Sequence, residues 1–116
     1  MTTQDAHDKL RSALLTSSLY DDVPLAQVES VVTRDELAEG TADQQELALS
    51  VIRSLVEDGL MTFEGWDDLG LDEAMDRVRG LFVEHYDDPG QWAFAVWLKP
   101  TESGRRAAEA LKAGAD

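Results

Sequence analysis

The stretch from Thr41 to Gly65 permits few conformations. Thr41 and Gln44 stand three apart, as in a capping box, ahead of Leu47, Ala48, Val51, Ile52, Leu55 and Val56. Those six apolar residues recur at the spacing of one helix face, and Gly59 stands where a left-handed cap ends such a helix. The pattern predicts a helix over 41–58 with Val51, Ile52 and Leu55 in the core. A short strand over 60–64 is expected next, with Met61 and Phe63 on one side. So broad an apolar face has to be buried against its neighbours.

The flanking sequence supplies more helices. Ala6, Leu10, Ala13 and Leu14 place a first helix over 5–18. Asp21 and Asp22 are expected to cap a second helix, with Pro24 in its first turn and Leu25, Val28, Val31 and Val32 on its apolar face. Residues 34–40 read as a polar turn. Farther on, Leu71, Ala74, Met75, Val78, Leu81, Phe82 and His85 form one amphipathic stripe, with Asp72 and Glu73 in the first turn where the helix dipole favours acids. Asp87-Asp88-Pro89-Gly90 stops that helix. Residues 92–98 then alternate as a strand, Trp92, Phe94, Val96 and Leu98 facing one way, and this strand is expected to pair antiparallel with 60–64. Pro100 ends it, Thr101 caps, and a last helix over 102–113 is built around Ala107, Ala108 and Leu111. The tail Gly114-Ala115-Asp116 is expected to fray.

This order of elements resembles the winged helix-turn-helix domain of bacterial transcription regulators. The words that carry the resemblance are Glu57-Asp58-Gly59-Leu60-Met61 leading into a strand and Thr101-Glu102-Ser103-Gly104-Arg105-Arg106 opening the closing helix. The resemblance implies an α+β, mostly helical fold in one domain over 1–116. It has three N-terminal helices, a small antiparallel sheet, a helix inserted over 66–91 at the wing position, and a C-terminal helix. It also puts the 41–58 helix in the recognition position, with Gln44, Gln45, Ser50 and Arg53 on its outer face.

Charge opposes the activity that such a domain usually has. The chain carries 24 Asp and Glu against 10 Lys and Arg, a net charge of −14. Acids dominate everywhere except residues 92–116, and the recognition-position face offers one base, Arg53. A surface of this sign repels duplex DNA and anionic membranes alike. The absence of Cys excludes disulfides, thiolate metal sites and a Cys nucleophile, and fits a reducing cytoplasm. No apolar run approaches the ~20 residues that span a bilayer, and residues 1–10 carry no leader pattern.

No catalytic, cofactor or metal constellation emerges. The two His residues, His7 and His85, share no ligand spacing, and His85 is expected to close the apolar stripe, partly buried. Asp67, Asp68, Asp72 and Asp76 read as a solvated face. The eight Gly residues form no phosphate-binding loop. The sequence therefore points to a non-enzymatic cytoplasmic protein that binds a basic protein or its own copy, as a homodimer. Met75, Val78, Phe82, Asp72, Asp76 and Trp97 are the candidate interaction residues. The alternative is a dimeric DNA-binding regulator acting despite its charge.

Overall fold

A computed structural model describes residues 2–114 of the chain. Its elements are α1 (Thr3–Ser17), β1 (Val23–Pro24), α2 (Leu25–Arg34), α3 (Thr41–Glu57), β2 (Met61–Phe63), α4 (Leu71–Arg79), α5 (Pro89–Trp92), β3 (Trp97–Pro100) and α6 (Glu102–Gly114). Helix is the dominant structure, and the sheet is small and antiparallel throughout, in the order β1-β3-β2. Val23 faces Leu98 across one ladder, while Phe63 faces Leu98 and Met61 faces Pro100 across the other. The expected pairing of the 60–64 strand with the later strand is present in that register.

Helix α3 is the centre of the molecule. It packs against α1, α2, α4 and β2. Val51, Ile52 and Leu55 are fully buried, together with Leu10 and Leu14 of α1 and Val28 and Val32 of α2. Gly59 adopts φ +74°, the left-handed conformation that costs Gly little, and the Leu60 amide returns to the Leu55 carbonyl at 2.9 Å. The chain then reverses directly into β2.

Local chemistry corrects several boundaries. Thr41 does not cap α3, because it is already the first helical residue and Gly40 holds the cap position without a side-chain bond. Gln44 Nε2 instead donates to the Ala38 carbonyl at 3.3 Å. The capping box lies on α1, where Thr2 and Asp5 exchange side-chain and backbone bonds and start the helix at Thr3. Asp21 and Asp22 do not cap α2. Val23 and Pro24 run as an edge strand beside β3, and Pro suits an edge because its missing N–H leaves no ladder bond unmade.

The later strand is shorter and farther along than its alternation predicts. Pro89 at the first helical position turns residues 89–92 into α5, so Trp92 enters the core from a helical turn. Phe94 stands 67% exposed in the connection, and β3 extends through Pro100. Thr101 does cap α6: its hydroxyl accepts from the Gly104 amide at 3.0 Å and donates to the Gly59 carbonyl at 2.6 Å. A Cβ on Gly104 would lie 1.8 Å from the Leu60 carbonyl oxygen, so only Gly allows α6 to sit this close to the end of α3. Helix α6 reaches Gly114, and the rest of the tail lies outside the described residues.

Candidate functional site

The 71–85 stripe is the feature whose placement bears most on function. Its helix starts from Gly70 without a side-chain cap, and Asp72 and Glu73 occupy the first turn. From Gly80 to Glu84 the backbone widens into a π-helical turn. A π turn inserts extra chain into the helical repeat, so later residues slip around the axis. His85 is consequently exposed, against the expectation that it closes the stripe, and Tyr86 is the half-buried residue there. Tyr86 donates to Glu29 at 3.1 Å and stacks on Trp92, whose ring meets Phe82 edge to face with centroids 5.0 Å apart. Burial, reinforced by the Glu29 carboxylate, pushes the Tyr86 phenol up from its ordinary range.

This stripe packs on α3, not on the sheet. Ala74, Val78 and Phe82 are at most 2% exposed and Met75 is 8% exposed. Met75, Val78 and Phe82 are thus core residues of this chain, which corrects their assignment to an open interaction surface. An apolar stripe of this size gains more by covering its own neighbour than by waiting for a partner.

On the α3 side the contact takes up part of the face expected to point outward. Leu49 is buried, and Gln45 is buried at 8% exposure with its Nε2 donating to the Phe82 carbonyl at 3.4 Å. Gln45 is therefore withdrawn from the surface. Arg53 stays exposed, but its guanidinium is held by Asp72 of α4 at 2.8 Å and by Glu57 at 3.6 Å. Arg79 of α4 grips Glu46 of α3 through two bonds of 2.6 and 3.1 Å. Those bonds hold the Glu46 carboxyl below the usual glutamate range. Gln44 is half-buried, which leaves Ser50 as the one expected outer-face residue that is exposed and makes no ion pair.

The remaining candidates scatter. Asp72 and Asp76 are exposed on the solvent side of α4, and Asp72 is tied to Arg53. Trp97 is half-buried on β3 and donates from Nε1 to the Phe94 carbonyl at 2.8 Å. Trp66 stacks on Phe63 and lies under the Arg77 guanidinium.

Residue patterns in the sequence did not reveal a cleft beside the first half of α3. It occupies about 710 Å³ between the start of α1, the α2–α3 connection and the first half of α3. Glu36, Glu39, Asp43 and Glu46 line it, together with His7 and the apolar residues Ala6, Leu37, Ala38 and Leu47. The sequence signal was the acid-rich 35–39 stretch, hidden within a segment read only as a polar turn. Among the described residues no three His, Asp or Glu side chains converge as a metal site would require. No described helix is long and apolar enough to cross a membrane. The chain matches no family model, no curated protein and no solved structure.

Proposed function

We propose that this chain is a winged-helix-like protein that works by binding another protein and performs no catalysis itself. The element order α1, β1, α2, α3, β2, β3, interrupted by α4 and α5 between β2 and β3, with sheet order β1-β3-β2 supports the fold reading. The observation that carries the functional reading is the cover on α3. In the recognition position, a helix must present polar and basic side chains to the major groove. Here α4 buries Leu49 and Gln45, and its Asp72 neutralises Arg53. A duplex approaching that face would meet a second helix carrying Asp72, Glu73 and Asp76, within a molecule of net charge −14. Both shape and sign argue for a protein partner of basic character, met in the cytoplasm.

Two measurements on the full chain test this reading. Fluorescence anisotropy with duplex DNA from upstream of its own gene should show no sub-micromolar binding at physiological salt, whereas specific regulators reach about 10⁻⁸ M or tighter. Crosslinking in cells followed by reconstitution with the purified partner should give a stoichiometric complex that weakens as salt rises. Tight, salt-sensitive DNA binding with no reconstituted protein complex would overturn the proposal.

A further inference from the structure

We propose that the acidic cleft between the start of α1 and the first half of α3 is the docking site for a basic amphipathic segment of the partner protein. This rests on the protein-binding reading above and adds the place and the chemistry of the contact. The cleft has two kinds of surface. Its floor includes Ala6, Leu37 and Leu47, each less than a tenth exposed, so the apolar atoms that show there belong to the core itself. Its rim carries the exposed carboxylates of Glu36, Glu39 and Asp43.

No Lys or Arg lines the cleft. Among the described residues Glu36, Glu39 and Asp43 have no cation within 4 Å, whereas Glu46 on the adjoining turn is already held by Arg79. Three unbalanced carboxylates around an apolar floor raise the local potential for a cation with an apolar body. A Lys or Arg on an amphipathic helix has that form, its stem lying on apolar surface while its head reaches carboxylates. A volume of about 710 Å³ accommodates several such side chains.

His7 stands on the cleft wall, half-buried. Glu36, one of the rim acids, holds φ +50°, a left-handed conformation uncommon for a non-Gly residue. The cleft also takes in Ser50 and Glu46 of α3, at its border with α4, where Arg79 holds Glu46.

The test uses the full chain labelled with ¹⁵N and two synthetic peptides of equal charge. One is an amphipathic helix of Leu and Lys; the other replaces every Leu with Ser. The Leu/Lys peptide should bind more tightly, and its amide shift changes should map to residues 2–7, 36–39 and 43–50. Glu36→Gln, Glu39→Gln and Asp43→Asn together should weaken it about tenfold, as expected for three exposed ion pairs. The same charge change placed elsewhere, as Asp67→Asn, Asp68→Asn and Asp87→Asn, should weaken it less than about twofold by screened long-range attraction. Equal weakening by the two triple variants, equal binding of the two peptides, or shifts that map to another face would overturn the cleft assignment and leave the protein-binding reading standing. Failure of both peptides to bind even at low salt would overturn the cleft and the basic partner together.

Discussion

Helices α3 and α4 are both amphipathic in sequence, yet they have opposite fates in the fold. Helix α4 buries one stripe, Ala74, Met75 and Val78, and leaves its acids in water. Helix α3 buries Gln45, Leu47, Ala48, Leu49, Val51, Ile52 and Leu55, and keeps a narrower exposed strip of Asp43, Glu46, Ser50, Arg53 and Glu57. The difference arises from position. Helix α3 is enclosed by α1 and α2 on one side and by α4 on the other, whereas α4 is an outer layer. A helix that reads as having a polar outer face can lose part of it when another helix brings a matching apolar stripe and countercharges. Glu46 with Arg79 and Arg53 with Asp72 are those countercharges.

If α4 is as much a part of the core as the inner face of α3, disrupting its stripe should be as damaging. Met75→Asp combined with Phe82→Asp should unfold the protein, read by loss of helical circular dichroism. A variant that stays folded and merely loses protection of α4 amides in hydrogen exchange would show α4 to be a detachable cover. Phe82→Ala should cost about 3–5 kcal/mol in urea unfolding, matching or exceeding Leu55→Ala at about 2–5 kcal/mol. A value for Phe82 below 1 kcal/mol would break the equivalence.

The aromatic corner behind the π turn gives a smaller effect. Tyr86→Phe removes the bond to Glu29 and should cost about 0.5–1.5 kcal/mol near neutral pH. Because the folded phenol titrates above its unfolded value, the stability it contributes is full below the unfolded value. That contribution declines as pH rises through the folded one. The wild type should therefore lose its advantage over Tyr86→Phe in alkaline unfolding series.

The smallest effect tests the countercharges. The Glu46 carboxyl titrates below its ordinary range, so its contribution is present above that range and lost as pH falls through the folded value. Arg79→Gln should move the Glu46 midpoint in an NMR titration back toward an ordinary glutamate. The exposed pair should be worth about 0.2–1 kcal/mol by double-mutant cycle. An unmoved midpoint would mean that the Arg79–Glu46 contact adds nothing to the seam between the two helices.

Local signals in the sequence were reliable where chemistry acts within a few residues. Gly59 stops α3 because a left-handed cap needs no tertiary partner, and Thr101 caps α6 by the same locality. The inner face of α3 and the strand with Met61 and Phe63 inward were legible from periodicity alone. Signals failed where two local readings compete. Thr41 and Gln44 match a capping box, but the helix starts one residue too early for it. Alternation over 92–98 looked extended, yet Pro89 nucleates a helical turn that carries Trp92 into the aromatic corner.

By itself the sequence determined the helical bulk, one antiparallel pair of the small sheet (β2 with the later strand), and a negative charge that weighs against nucleic acid. Each follows from composition or from spacing within one element. Only the tertiary structure decided which surface each face meets. The stripe of α4 could have covered the sheet or a second copy, and the fold directs it onto α3 because Leu49 and Gln45 complete a seam there with Phe82. The acidic cleft likewise brings residues near 6, 37 and 47 together, and no periodicity within a single segment records a meeting of three.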